Sequence, residues 1–184
     1  MGGVTIKLEG VGDVMNAFEE LALEIGDKQA RSKVLIPAAR EAMKPILTLA
    51  QQKVPVNTGA LQMMLQVEAR RPTSKDRRSK YITKNDAVIA TVTTPSGKKL
   101  KAMSEGKGLE RTRRRMIKLG ATQEQAAAFQ GFQSDARAIA QEFGTAKMPA
   151  KPYLRPALES QSQETVNRLA DSLRKYILKF RMKT

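Results

Sequence analysis

The residues whose types and spacing could do chemistry are few, and the most concentrated set is the run Arg-Thr-Arg-Arg-Arg at positions 111–115. Guanidinium groups bind phosphate oxygens through charge-assisted hydrogen bonds, and such contacts need no particular base sequence. Arg111, Arg113, Arg114 and Arg115 are therefore candidates for a surface that faces DNA. Two other interpretations stay open: a solvated face, and salt bridges to an acidic patch on a neighbouring subunit.

The basic residues are concentrated around this run. The chain of 184 residues has a net charge of +15, and the stretch from Arg70 to Lys118 holds sixteen basic and four acidic residues, which is +12 of that total. Such a block favours a polyanionic or acidic neighbour, or a solvated region. Tyr81, Phe129 and Phe132 are the only aromatic residues near it, so stacking on single-stranded bases is not expected.

The composition argues against an enzyme. There is no His and no Cys, which removes the commonest general base, the commonest zinc ligand and all disulfides. Glu142 could be a general acid or base, but no second carboxylate or His lies at a useful spacing. We expect Glu142 to accept hydrogen bonds from exposed amides of the turn that follows it, or to pair with a basic residue such as Arg155. No catalytic residue, cofactor or metal is predicted.

Hydrophobic spacing predicts the elements that position these residues. A helix starting at Val14 has Val14, Phe18, Leu21 and Ile25 on one stripe and ends at Gly26. A long central helix from about Lys28 to Lys53 should kink or break at Pro37 and Pro45. A C-terminal helix follows at Ala157–Phe180, with Leu158, Val166, Leu169, Leu173, Ile177 and Phe180 on its apolar side. Strands are predicted at Val4–Leu8, Leu61–Ala69, Tyr81–Ile82, Ala87–Thr93 and Arg137–Phe143, the last with Ile139 and Phe143 inward.

These elements predict an α+β fold in one domain, residues 1–184: a small antiparallel sheet of about four strands, packed by the central helix and the C-terminal helix. A basic helical insertion occupies about residues 97–136, in which Thr122 and Gln125 form a capping box. No apolar run approaches the ~20 residues that a membrane-spanning helix needs, so no membrane association is expected.

The segment from Glu142 to Leu158 has the composition of a stiff corner. Gly144 permits a positive φ that ends the preceding apolar run. Pro149, Pro152 and Pro156 fix φ and lack an N–H, so they favour an extended connector whose last proline occupies the first turn of a helix. Tyr153 and Leu154 lie inside this stiff segment, where we expect them to be anchored.

Two motifs carry a resemblance to a known family. The first is Val54-Pro55-Val56-Asn57-Thr58-Gly59-Ala60-Leu61, and the second is Glu142-Phe143-Gly144-Thr145 with Pro152-Tyr153-Leu154-Arg155-Pro156-Ala157. Together they resemble the signature of the neck, or head–tail joining, proteins of long-tailed bacteriophages, also called tail-component or tail-completion proteins. The resemblance covers about residues 4–70 and 137–180.

The sequence departs from the family pattern in three places. Arg137 stands where the family often has Tyr, and Tyr153 stands where Phe is common. Residues 97–136 form an insertion that short members of the family lack, and the resemblance implies nothing about its role. The insertion could pack on its own domain or serve as an arm against a neighbour.

The resemblance implies a structural virion protein, made in the bacterial cytoplasm, that forms a homo-oligomeric ring at the head–tail junction and joins the DNA-filled head to the tail. Its partners would be the head-side connector or head-closure protein, the tail terminator and double-stranded DNA in the channel. The scaffold of these contacts would comprise Pro55, Thr58, Gly59, Glu142, Phe143, Gly144, Pro152, Tyr153, Leu154, Arg155 and Pro156. The alternative from another class is a non-specific nucleic-acid-binding protein.

Overall fold

The computed structural model describes residues 11–54, 60–118, 120–132 and 136–182. The protein is a mixed helix–strand fold, about 68% helical, with a small two-stranded antiparallel sheet. It divides into two compact units. The first comprises the described parts of Met1–Leu49, Val67–Val92 and Arg155–Thr184, and the second those of Ala50–Gln66 and Thr93–Leu154. The basic insertion falls in the second unit, and the single-domain organisation stays a prediction.

Helical elements precede and follow the two strands along the chain. Five helical elements come first: α1 (Val11–Ile25), α2 (Asp27–Ala30), a π turn (Arg31–Leu35), α3 (Ile36–Ala42) and α4 (Lys44–Lys53). Next come α5 (Ala60–Met64), β1 (Gln66–Arg70), a 3-10 turn (Asp76–Arg78) and β2 (Ile89–Thr93). The rest is helical: α6 (Gly97–Ser104), α7 (Gly106–Lys118), α8 (Gln123–Ala128), α9 (Ala136–Phe143) and α10 (Leu154–Arg181).

The predicted breaks in the central helix are confirmed. Pro37 cannot donate a backbone hydrogen bond, and the chain passes through the π turn just before it, at the start of α3. Pro45 lies in the first turn of α4, where a missing N–H costs nothing. Gly26, with a φ of 85°, separates α1 from α2 as expected.

Three helical segments build the core of the first unit. Side chains from α1, from the α2–α3 segment and from α10 are buried against one another, and partly buried Ile25, Leu169 and Phe180 cover them. The buried set is Val14, Phe18, Leu21, Ala30, Val34, Ala38, Ala170, Leu173 and Ile177. The apolar stripes predicted for α1 and α10 are thus largely confirmed. Leu158, predicted on the apolar side of the C-terminal helix, is instead exposed.

The predicted antiparallel sheet of about four strands is larger than the two-stranded sheet that the described residues form. β1 and β2 pair with each other. Each is shorter than the strand predicted there, Leu61–Ala69 and Ala87–Thr93 respectively. Residues 60–64 form helix α5, and Tyr81 and Ile82 lie in a turn region rather than in a strand. The predicted strand Val4–Leu8 lies outside the described residues.

Residues 137–143 are helical, which corrects the predicted strand there. Ala136, Ala138 and Ala140 are strong helix formers, and the buried positions Ala138 and Glu142 are four residues apart, on one face of α9. Ile139 and Phe143 therefore point away from that buried face. Their exposed fractions are 60% and 67%, so the inward orientation predicted for them is wrong.

The insertion is helical, as predicted, and it forms much of the second unit. Thr122 and Gln125 make both hydrogen bonds of a capping box at the start of α8, which confirms that prediction. Met63, Met116 and Ala126 are buried together, with Phe129 and Phe132 packed against them in an edge-to-face pair 5.0 Å apart.

Candidate functional site

The corner that follows α9 starts with a glycine that no other residue replaces without strain. Gly144 has a φ of 76°, and a Cβ built on it would lie 2.8 Å from the backbone nitrogen of Ala150. Thr145 and Met148 then exchange backbone hydrogen bonds of 2.8 and 3.2 Å, which closes a tight turn. The prediction that Gly144 adopts a positive φ is confirmed, and the close approach of Ala150 adds a second reason for glycine.

Glu142 holds the two arms of the corner together. Glu142 is 7% exposed, and its Oε2 accepts hydrogen bonds from the backbone N–H groups of Tyr153 at 2.8 Å and Leu154 at 2.9 Å. Because α10 begins at Leu154, these are N–H groups that the helix itself leaves unsatisfied, at the end of its dipole that favours a negative charge. Glu142 does accept backbone N–H groups, as predicted, but these belong to the start of α10 and not to exposed amides of the turn that follows α9.

A hydrogen bond between two backbone groups supports the same arrangement. The N–H of Lys151 donates to the carbonyl of Gln141 at 2.8 Å. The extended segment before α10 is therefore held to α9 by side-chain and backbone bonds together. Such a connection has little conformational freedom, since its prolines restrict the backbone between these bonds.

Tyr153 fills the inside of the corner. It is 1% exposed, and its hydroxyl lies 3.4 Å from the carbonyl of Ala138. Burial, and secondarily the negative charge of Glu142, raises the pKa of Tyr153 to about 12. The prediction that Tyr153 is anchored is confirmed. Leu154 is half-buried, and Pro152 and Arg155 are exposed; half-buried Pro156 lies in the first turn of α10, as predicted.

Of the upstream motif Val54–Leu61, the structure describes three residues. Pro55, Thr58 and Gly59 lie outside the described residues. Val54, just before them, is buried, and its N–H donates to the carbonyl of Ala50 at 3.0 Å as α4 ends. The structure therefore describes the second motif and, of the first, Val54, Ala60 and Leu61.

The arginine run lies on α7, and its members face two ways. Arg111, Arg114 and Arg115 are exposed, while Arg113 is half-buried. The Nε and Nη2 of Arg113 donate to the carbonyl of Phe129 at 3.1 and 2.9 Å, just after α8 ends. Arg113 is thus occupied in joining α7 to the segment after α8.

Sequence reasoning missed two members of the exposed basic face. Lys107 and Lys118 are exposed and stand at i−4 from Arg111 and i+4 from Arg114, on the same side of α7. We define the α7 cationic face as Lys107, Arg111, Arg114, Arg115 and Lys118. A helical wheel drawn over 106–118 would have found it, because the spacing is readable from the sequence.

Possible metal ligands and a charged groove are two further features to consider in the described residues. No three His, Cys, Asp or Glu side chains come together there in a way that could hold a metal ion. An open groove of about 360 Å³ in the first unit is lined by charged residues, but its Lys175 pairs with Glu41 and its Arg168 with Glu164, each at 2.7 Å. Lys175 holds the pKa of Glu41 below its ordinary value. These four charged side chains are therefore paired with one another.

Across residues 11–54, 60–118, 120–132 and 136–182, no helix combines the length and apolar character that crossing a membrane requires. Comparison with protein-family models, curated proteins and solved structures found no match to the chain.

Proposed function

We propose that the protein is a structural virion protein of a tailed bacteriophage, which forms a ring at the head–tail junction and joins the DNA-filled head to the tail. The proposal starts from the resemblance of its two motifs to the neck-protein signature. It treats the protein as an assembly component without catalytic residues or cofactors. Its neighbours are further copies of itself, the head-side connector or head-closure protein, and the tail terminator.

The observation that carries the proposal is the contrast between Glu142 and Phe143. Glu142 is 7% exposed and braces the corner, while the next residue, Phe143, is 67% exposed. A motif that existed only to build the corner would have no use for an aromatic side chain in water. Ile139, one turn earlier, is 60% exposed on the same side of α9. The pair forms an apolar patch on a braced support, which suits contact with another chain.

A ring suits such a patch because a ring needs two different complementary surfaces on each subunit. A heterologous interface places the patch of one copy on another surface of the next, and rotational symmetry closes the ring. The rigid corner would fix the angle at which Phe143 meets its neighbour. The residues of both motifs then serve the geometry of assembly and not a reaction.

The direct test is localisation in the particle. Particles assembled from a genome that encodes this chain should show it at the head–tail junction by cryo-electron microscopy. A well-resolved junction built entirely from other chains would overturn the proposal.

The patch itself can be tested by complementation of a phage that lacks this protein. Phe143→Ser should leave heads and tails unjoined, whereas the control Leu23→Ser, at an 88% exposed leucine of α1, should restore joined particles. Both purified variants should keep the helical circular dichroism of the unmodified protein. Normal particle yield with Phe143→Ser would show that the patch does not serve assembly.

A further inference from the structure

The α7 cationic face carries an unbalanced charge. Its five cations fall within an arc of roughly 100° around the helix and extend over roughly 16 Å of its length. The opposite side of α7 is held in the second unit by buried Thr112 and Met116. All five cationic side chains are exposed, so they form one continuous surface.

These cations lack acidic partners in the part of the chain that the structure describes. None of the five forms an ion pair there, although Glu110 lies at the border of the face. Two arginines of the first unit do have acidic partners at i,i+4 spacing, Arg31 with Asp27 and Arg168 with Glu164. On α7 the i,i+4 neighbours are like charges, Arg111 with Arg115 and Arg114 with Lys118. Like pairs at this spacing destabilise a helix, so the face gains most from an external polyanion.

The helix that carries the face is firmly held from behind. A Cβ on Gly108 would lie 1.8 Å from the carbonyl oxygen of Ala102, so α6 and α7 meet there at backbone distance. The Thr112 hydroxyl lies 2.9 Å from the carbonyls of Met103 and Gly108. Arg113 completes the attachment through Phe129. The cations are therefore presented on a fixed support, which lowers the entropic cost of binding.

The residues on and behind the α7 cationic face favour one class of polyanion over two others. Insertion into an anionic membrane would require an apolar side on the same helix, but Met116 is buried and Ile117 is a single exposed apolar side chain on α7. Single-stranded bases would require exposed aromatic rings, whereas Phe129 and Phe132 pack against each other. Each strand of a duplex presents a phosphate about every 3.4 Å, so the length of the face spans about five phosphates of one strand, about as many as it has cations.

We propose that the α7 cationic face binds the phosphate backbone of double-stranded nucleic acid, without sequence preference, through Lys107, Arg111, Arg114, Arg115 and Lys118. Arg113 is excluded from this surface because its guanidinium is bound to Phe129. Arginine suits the role since its planar guanidinium contacts two phosphate oxygens at once. Binding by the α7 cationic face needs only the free chain and not the ring. A negative result for DNA binding would therefore not count against the proposed role at the head–tail junction, and the reverse also holds.

The test is the salt dependence of binding to a fluorescent DNA duplex of random sequence, followed by anisotropy. For the unmodified protein, the plot of log affinity against log salt concentration should have a slope of about −4, as expected for four to five phosphate contacts. The double variant Arg114→Gln/Arg115→Gln should reduce the steepness of this slope by about 2. The control Lys33→Gln/Lys179→Gln makes the same charge change at two exposed lysines of the first unit and should leave the slope unchanged.

Three results would overturn the proposal. The first is that the folded protein does not bind the duplex at low salt, and the second is that the control loses as much slope as the Arg114→Gln/Arg115→Gln variant. The third is that polyglutamate displaces the labelled duplex at a lower concentration of negative charge than unlabelled duplex needs. The second result would mean that net charge alone attracts DNA. The third would assign the face to an acidic protein surface. Circular dichroism of each variant would verify that it is folded.

Discussion

The carboxylate of Glu142, in the last turn of α9, accepts the backbone N–H of Tyr153, the residue that precedes α10, at 2.8 Å. The same oxygen accepts the N–H of Leu154 at 2.9 Å. One side chain therefore fixes the end of α9 to the residues at the start of α10, across a turn and two prolines, Pro149 and Pro152. In turn, Tyr153 is buried against the carbonyl of Ala138, one turn before Glu142.

Replacing Glu142 should show how much its two hydrogen bonds contribute to the free energy of unfolding. Glu142→Ala leaves two N–H groups without their acceptor in a buried setting, so we expect a loss of about 2 to 3 kcal/mol in the free energy of unfolding. Glu142→Gln keeps an acceptor oxygen but loses the charge at the helix N-terminus, and should lose about 1 kcal/mol. Urea denaturation followed by circular dichroism measures both values.

The matched control is Glu159→Ala, at an exposed position of α10. Surface substitutions of this kind should change the free energy of unfolding by less than about 0.5 kcal/mol. If Glu142→Ala and Glu159→Ala proved equally stable, the Glu142 carboxylate would have no structural role in the corner.

Gly144 should tolerate alanine less well than Gly120, although both have positive φ values, 76° and 97°. A Cβ on Gly120 would meet nothing within 4 Å, so Gly120→Ala should cost only the backbone strain, about 1 kcal/mol. Gly144→Ala adds a contact of 2.8 Å with the backbone of Ala150 and should therefore cost clearly more. Thermal unfolding of the two variants compares them, and equal melting temperatures would contradict the close approach.

Tyr153 should make the protein sensitive to alkali. Its pKa is raised from 10.0 to about 12, so the folded state favours the neutral phenol. The resulting stability is fully present below pH 10 and is lost as the pH rises towards 12. Tyr153→Phe cannot ionise, so its stability should fall less steeply across this window. Urea denaturation at a series of pH values would measure the difference.

Lysine deprotonation also acts in that pH range, but it acts equally on the variant and on the unmodified protein. Tyr81→Phe, at an exposed tyrosine, serves as the second control and should retain the full alkaline loss. Parallel curves for Tyr153→Phe and the unmodified protein would mean that Tyr153 ionises as freely as an exposed tyrosine.

Local signals in the sequence were sufficient for much of the fold. Thr122 and Gln125 predicted the start of α8 because a capping box depends only on residues three apart. Pro37 and Pro45 predicted the interruptions of the central helix because the missing N–H acts on the residue itself. The corner was predicted from Gly144 and the prolines for the same reason, whereas the bonds of Glu142 to Tyr153 and Leu154 were not, since these donors lie eleven and twelve residues away.

Contacts between distant residues account for the errors. Residues 137–143 contain apolar side chains that suit either a strand or a helix, and only the burial of Ala138 and Glu142 decides between them. The partner of Arg113 is the carbonyl of Phe129, sixteen residues away. A helical wheel places Arg113 off the α7 cationic face, but its bond to Phe129 depends on how the chain folds and could not be read from the run itself.

Asp76 should stabilise the turn after β1 in a way that acid removes. Arg70 donates to both oxygens of its carboxylate, and the side chain and backbone N–H of Thr73 donate to it as well. These donors, Arg70 foremost, hold the pKa of Asp76 well below its ordinary value. A depressed native pKa gives stability that is present above the unfolded value, about 3.9, and lost as the pH falls through the native one.

Asp76→Asn should therefore be less stable than the unmodified protein at neutral pH, and the difference should shrink as the pH falls below about 4. Thermal unfolding at neutral and acidic pH measures it, with Glu24→Gln, at an exposed carboxylate of α1, as the control for general loss of negative charge. A difference that stays constant down to low pH would show that Asp76 acts through its shape in the turn and not through its charge on Arg70.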